Sequence, residues 1–291
     1  MKIPLLMNTR AGALHQASGP DEFLRIAAKE GVDIDLIRTN SAEEMTSKAK
    51  KLVDSGAERI GVAGGDGTAE LVIQVLAGTD TALGIISQGT FNNFASTLRI
   101  PHNLPAALRM LRDGQATSVD LGKVNNRYFT ESVGVGLFAD GLAMYGQGSN
   151  KNFGRGLYAM AGIALSFRPK DLSIVVDGKT IDEPVVLCEV ANTYRIAQAV
   201  PIAPYADVCD GLLDVVIFKD VRRHEILGYL KALRAQVHGG LPKVEILQGK
   251  RIELRSTKKR NVHADDDILG QLPVSISVQP GALKVLADPS I

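Results

Sequence analysis

The sequence predicts an N-terminal α/β domain with a parallel sheet, followed by a mainly antiparallel C-terminal β-sandwich. Three observations carry this. Strand-like and helix-like segments alternate over roughly the first 115 residues, the rhythm of a parallel sheet. Beyond them, period-two segments dominate and helical patterns are few. Glycines, 29 in 291 residues, supply tight turns and close backbone approaches.

The elements follow in order. Residues 3–7 form a short apolar run that reads as a strand. Over 21–30, Phe23, Leu24, Ala27 and Ala28 recur at helical spacing, and Gly31 follows. Val32, Ile34 and Leu36 alternate with Asp33 and Asp35, a strand's period. Ser41 is placed as an N-cap, with Glu44 completing a capping box for a helix that runs to 54. A buried strand is expected over 59–63. A helix follows with Leu71, Val72, Val75 and Leu76 on one face, then a strand over 83–86. Phe91, Phe94, Ala95 and Leu98 share a helix face, and another helix covers 104–111. Past a composition change near 114–118, strands are expected over 119–124, 128–133, 172–176, 184–190, 212–218, 244–247, 251–255, 261–264, 274–278 and 282–286. Asn125-Asn126 and Asp177-Gly178 are turn signals. Helices are expected over 137–145, 155–166 and 222–237. The domains are drawn at 1–117 and 118–291, the extreme C-terminus being a candidate to return to the first.

Composition narrows the function classes. Apolar residues are 45% and charged residues 22%, as in an ordinary globular protein. Lys+Arg is 33 against Asp+Glu 32, a net charge of +1. No bulk field draws the chain to nucleic acid, and no nucleic-acid partner is expected. Cys188 and Cys209 form no C-x-x-C pair, which fits a reducing compartment. The apolar stretch at 3–7 is too short for a signal peptide, and the longest near-apolar run, 158–167, is about half a membrane span. A cytoplasmic protein is expected, able to touch the inner face of a membrane.

Two motifs carry chemistry. Gly64-Gly65-Asp66-Gly67-Thr68 follows one expected strand and opens a helix. Glycines there let backbone N–H groups curl toward an anion, and the helix start adds partial positive charge, so phosphate is the natural guest. The structural alternative is a glycine-rich turn with Asp66 as a cap. No Gly-Lys-Thr closes a Walker loop here, and Glu70 stands where a dinucleotide fingerprint needs its third glycine. The second motif, Gly89-Thr90-Phe91-Asn92-Asn93-Phe94-Ala95, again links strand to helix, with Thr90 as expected N-cap. Two such starts on adjacent strands reinforce each other, because α/β sheets bind ligands at their carboxyl edge. Gly134-x-Gly136-x-x-Ala139 is read as a close backbone approach between strand and helix rather than as a dinucleotide site. The five histidines are scattered without metal spacing and are expected in surface or loop positions, with a place near the site as the alternative for His263, four residues before Asp267. The basic stretch 250–260 and the helix over 222–237 are first a hairpin and a core-packed helix. Contact with anionic lipid is the alternative for each.

GGDGT, an apolar strand, then Gly89-Thr90-x-Asn92-x-x-Ala95 resemble the diacylglycerol kinase catalytic family, which is related to sphingosine, ceramide and NAD kinases. Asn8-Thr9-Arg10-Ala11-Gly12 is similar to its Asn-Pro-x-x-Gly turn, and 119–124 to the start of its second domain. Pro201 to Asp214 and the tail from Pro280 to Leu286 resemble further family segments, so the likeness spans nearly the whole chain in order. The resemblance implies a three-layer N-terminal α/β domain with a C-terminal β-sandwich, and a lipid kinase using ATP and Mg²⁺, with diacylglycerol as the first expected acceptor. Asp66 would be catalytic. The nucleotide positions would be Asn8, Thr9, Arg10, Ala11, Gly12, Thr39, Gly64, Gly65, Gly67, Thr68, Ala69, Glu70, Gly89, Thr90 and Asn92. Asp210, with the backbone carbonyls of Asp207 and Leu212, would hold a structural magnesium ion. The family's late Asp-Gly-Glu, whose Glu is its proposed general base, aligns with Asp265-Asp266-Asp267, so Asp267 would take that place one methylene shorter. Asn92-Asn93 replaces the family's Asn-Asp, and Glu70-Leu71 its Asn-Glu. The expected partners are a lipid at a membrane surface and a second copy of the chain. An NAD kinase-like enzyme, or a nucleotide or lipid sensor without turnover, are the alternatives.

Overall fold

The computed structural model describes residues 2–9, 19–145, 169–196, 200–222 and 224–288. The chain divides into two units: 1–120 with 280–291, and 121–279. The helix expected over 155–166 lies outside the described residues.

In the first unit, β1 (Ile3–Asn8), β2 (Ile34–Thr39), β3 (Arg59–Gly64), β4 (Ala82–Ser87) and the end of β15 (Val274–Ala287) run parallel. Their order is β2-β1-β3-β4-β15. The helices are α1 (Pro20–Lys29), α2 (Ala42–Asp54), α3 (Asp66–Leu76), α4 (Asn93–Thr97) and α5 (Leu104–Asp113). α1 packs with α5, and α2 with α3. α2 starts as the sequence predicts: Ser41 Oγ accepts the Glu44 N–H at 3.1 Å. The Glu44 carboxylate reaches back one residue further than a standard box, to the Asn40 N–H at 2.8 Å. Phe23 and Ala27 of α1 and Leu108 and Leu111 of α5 bury their faces against Leu5, Ala63 and Ile86 of the sheet. Leu111 sits where side chains on the paired Gly61 and Gly84 would stand, 3.0 and 2.5 Å from their would-be Cβ positions. These strand glycines thus let α5 approach the sheet. The chain leaves β1 toward β2 on one side and returns through β3 on the other. This makes the carboxyl ends of β1 and β3 the switch point at which such sheets take ligands.

The second unit is antiparallel. It contains β6 (Arg127–Phe129), β7 (Ser132–Gly136), β8 (Lys170–Val176), β9 (Lys179–Ala191), β10 (Leu213–Lys219), β11 (Val244–Gly249), β12 (Arg251–Arg255), β13 (Asn261–Ala264) and β14 (Asp267–Gln271). It also includes the end of β5 (Gln115–Val124), the start of β15, and two helices, α6 (Leu137–Tyr145) and α7 (Ile226–Arg234). The long β9 pairs with β8 over its first part and with β7 and β10 over its last. Alternate apolar residues of these strands, among them Val133, Ile174, Val190, Val215, Ile252 and Val262, form one buried core. A second apolar cluster lies under α7, around Ile202, Val216 and Phe218. Val124 pairs with Arg127, and Val176 with Lys179, so both turn signals close two-residue hairpins.

Four expectations change. The strand expected over 128–133 splits into β6 and β7, because Thr130 and Glu131 turn their backbone to a carboxylate described below. The strands expected over 274–278 and 282–286 are one, β15. Gly281, at φ +59°, bends it, and its N–H donates to Asp120 Oδ1 at 2.7 Å. The helix expected over 222–237 is confined to α7, followed by a 3₁₀ turn, His238–Gly240. β14 has no counterpart in the sequence reading. Among the described residues, no helix is long and apolar enough to cross a membrane.

Candidate active site

In the first unit the two glycine motifs meet. β3 delivers Gly64 and Gly65, and α3 begins at Asp66 with Gly65 as its N-cap, so Asp66 is the first helical residue and not the cap. β4 delivers the second loop. α4 is capped by Asn92, not by Thr90: Asn92 is left-handed at φ +51°, and Phe91 precedes the helix. The reason is local bonding. The Asn92 side chain folds back onto Gly89, accepting its N–H at 3.1 Å and donating to its carbonyl at 2.9 Å. The Asn92 N–H then donates to Asp66 Oδ2 at 2.8 Å, which ties the loops together. Gly65 and Gly89 face each other so closely that a Cβ on Gly89 would lie 2.5 Å from the Gly65 Cα. Gly67 differs. It sits exposed in the first turn of α3, outside the left-handed region, and a Cβ there would meet nothing within 4 Å. The fold does not require this glycine.

At the switch point, Asn8 ends β1, and Thr9 continues beside β2, its N–H donating to the Thr39 carbonyl at 3.0 Å. Thr39 is wholly buried and its hydroxyl donates to the Met7 carbonyl at 3.2 Å. Thr68 and Ala69 are buried on the inner side of α3, whereas Glu70 is half-buried and Thr90 exposed. Arg10, Ala11 and Gly12 lie outside the described residues.

In the second unit, Asp265 and Asp266 form the two-residue turn between β13 and β14, and Asp267 opens β14. The three carboxylates take different tasks. Asp265, at φ +47°, accepts hydrogen bonds from the Thr130, Glu131 and Ser132 N–H groups and the Thr130 hydroxyl, at 2.8–3.1 Å. Burial pushes its carboxyl pKa up, against the pull of these donors. Asp267 is half-exposed and pairs with the Arg127 guanidinium at 2.9 Å. Beneath the turn lies a pair whose Glu189 partner the sequence reading missed. His263 and Glu189 are wholly buried, with His263 Nε2 at 3.0 and 2.9 Å from the two Glu189 oxygens. Burial alone would lower the His263 pKa; Glu189 and the Asp265 carbonyl outweigh it and raise it. The available signal was a carboxylate inside an apolar strand, Val185 to Ala191. His263 and the buried His238 thus correct the expectation of surface or loop histidines. Gly134 and Gly136 also differ from expectation. A Cβ on Gly134 would strike the Glu189 carboxylate at 2.2 Å, and one on Gly136, at φ +99°, the Val186 carbonyl at 2.3 Å. The close approach is to β9 rather than to a helix.

The expected magnesium positions lie on the loop before β10. Asp207 Oδ1 accepts the Cys209 N–H and Asp210 Oδ1 the Leu212 N–H, each at 2.9 Å. Gln248 bridges Asp210 and Asp214 at 3.5 and 3.4 Å. Asp214 is buried, which together with the Asp210 charge pushes its pKa up to about 6, and its Oδ1 has no hydrogen-bond partner. Among the described residues, no group of three or more His, Cys, Asp or Glu side chains could hold a metal. One carboxylate, two carbonyls and waters is a different, hard-oxygen donor set. The buried, under-bonded Asp214 beside it fits a nearby cation.

The chain is thus a parallel α/β unit with two bonded glycine loops, continuing into an antiparallel β unit. Residues 2–124 match the diacylglycerol kinase catalytic domain, and residues 135–287 the YegS C-terminal NAD kinase beta sandwich-like domain. A diacylglycerol kinase of Mycobacterium tuberculosis is 32% identical over 98% of this chain and 94% of its own length. One of Staphylococcus aureus is 27% identical over 88% and 82%. A crystal structure of a diacylglycerol kinase from Bacillus anthracis superimposes with a TM-score of 0.75 at 21% identity, covering 100% of this chain and 98% of the other. The chain belongs to the diacylglycerol kinase catalytic family. It is a lipid kinase, and the kinase family implies ATP as phosphate donor.

Proposed function

We propose that this chain transfers the γ-phosphate of ATP to the hydroxyl of diacylglycerol, giving phosphatidic acid. Gly67 carries the reading: a glycine that the fold does not need stands beside Asp66, at the start of α3 and next to the sheet's switch point. The amides of 65–68 and the second loop receive the phosphates. The lipid oxygen attacks the γ-phosphorus in line. An O–P bond forms, the bond to the β-phosphate oxygen breaks, ADP leaves, and the hydroxyl proton passes to a carboxylate. Asp267 takes that proton. The Arg127 guanidinium aims its carboxylate while leaving it half-exposed. Asp66 holds the second loop through Asn92 and stands at the start of α3, beside the phosphate loop. Magnesium, held by Asp210 and the carbonyls of Asp207 and Leu212, would supply positive charge that organises the loop before β10. The lipid is met at a membrane surface, and a homodimer is part of the reading.

The test is transfer of label from ATP in the presence of Mg²⁺ to diacylglycerol, monoacylglycerol, sphingosine and ceramide in mixed micelles. NAD goes in a parallel tube, and Asp66→Ala is the control. Labelled phosphatidic acid that vanishes in the variant is expected. Labelled NADP, or ATP binding with no acceptor labelled, would overturn the reading.

A further inference from the structure

We propose that the buried Glu189–His263 pair is a positioning device for the carboxylate turn, setting the Asp267 carboxylate where it takes the lipid proton. The proposal rests on the assignment of Asp267 above.

The sheet prepares this pair. Glu189, Gly134 and His263 occupy one row across β9, β7 and β13. The middle residue has no side chain, and a Cβ there would lie 2.2–2.3 Å from the Glu189 carboxyl atoms. The carboxylate therefore crosses over Gly134 to reach the imidazole. His263 Nδ1 lies 3.0 Å from the Asp265 carbonyl, which can only accept, so Nδ1 donates. Nε2 faces the two Glu189 oxygens, and Glu189 and the Asp265 carbonyl raise the pKa of the ring, so they favour the imidazolium, which donates from both nitrogens. Phe138 stands edge-on to the ring, 4.7 Å between centroids.

The carbonyl that His263 holds belongs to the first residue of the turn, which is left-handed although it is not glycine. The turn is gripped on three sides. The imidazolium takes its carbonyl, the Ser132 carbonyl accepts its N–H at 2.8 Å, and residues 130–132 take its carboxylate. Asp267 follows two residues later. A wholly buried ion pair is poor evidence of added stability, since apolar side chains of similar volume often serve as well. What this pair does that apolar residues cannot is orient one carbonyl by charge.

The experiment is a double-mutant cycle on the full chain. His263→Ala and Glu189→Gln are each made in the wild-type and Asp267→Asn backgrounds, with kcat and KM measured for ATP and lipid. In the wild type, His263→Ala is expected to lower kcat about 10–100-fold, with both KM values unchanged within about twofold. Glu189→Gln, whose amide can still bond a neutral imidazole, loses less. In the Asp267→Asn background neither change lowers kcat further, since both act through the residue already removed. Equal losses in both backgrounds, or an unchanged kcat, would overturn the proposal. Where His263→Ala does not fold, the Glu189→Gln cycle decides. Wild-type kcat in Asp267→Asn overturns the role of Asp267 and, with it, the catalytic part of the proposal. Amide hydrogen exchange is read independently of turnover: faster exchange at Thr130–Ser132 and Asp265 in either variant supports the grip on the turn, and unchanged exchange refutes it.

Discussion

Asp66 ties the two glycine loops together. Its Oδ2 receives the Asn92 N–H, so removing the side chain leaves that donor without its acceptor. Asp66→Ala is expected to cost about 1–3 kcal/mol in urea denaturation and to abolish transfer. Asp66→Asn, which still offers a side-chain oxygen, should recover most of the stability and none of the activity; recovered activity would show that the charge is dispensable. His263 gives a pH signature. Its folded pKa is raised above the unfolded value of about 6.5. Its stabilising contribution is therefore complete below about pH 6.5 and fades as pH rises through the higher folded value. Unfolding free energy measured from pH 6 to 9 should fall more steeply in the wild type than in Glu189→Gln, where the carboxylate that raises the pKa is gone.

At the scale of elements, the glycines of the first loop divide by purpose. Gly65 and Gly89 are needed by the fold, because the loops touch backbone to backbone. Gly67 is not. Gly67→Ala is expected to stabilise the chain by about 0.5–1 kcal/mol while weakening ATP binding at least tenfold, read by thermal melts with and without nucleotide. A variant that binds ATP normally would remove Gly67 from the phosphate loop. This loop was legible in the sequence because its logic is local: strand, glycines and helix start lie within a few residues. So was the Ser41 cap. What stayed illegible depends on distant partners. Asn92 displaces Thr90 as the cap because it answers Gly89 and Asp66 together, and the strand expected over 128–133 breaks because Asp265 claims Thr130–Ser132. Gly134 carries a dinucleotide-like spacing for an unrelated reason, to let Glu189 pass to His263. Periodicity cannot report a row that spans three strands.

At the scale of the whole molecule, the first unit is discontinuous. Its parallel sheet includes the end of β15, where Lys284 and Val285 pair with Ala82 and Leu83 of β4. Leu283, Val285 and Leu286 are buried there. A chain truncated after Gln279 should therefore lose the first unit preferentially. Limited proteolysis is expected to cut within 20–113 while 121–279 survives; the opposite pattern would show that β4 stands as an adequate sheet edge.

The split sheet also sets an order of events during synthesis. Residues 2–120 leave the ribosome early, but the strand that borders β4 follows only after the whole of 121–279 has been made. At about 5–20 residues per second, that is a wait of roughly 8–30 s. Through that interval β4 presents an open parallel edge, Ala82 to Ile86, made of apolar residues and one glycine. Such an edge is a template for pairing with another chain. The nascent chain thus has a window in which the first unit carries this open edge, and it closes only when β15 arrives.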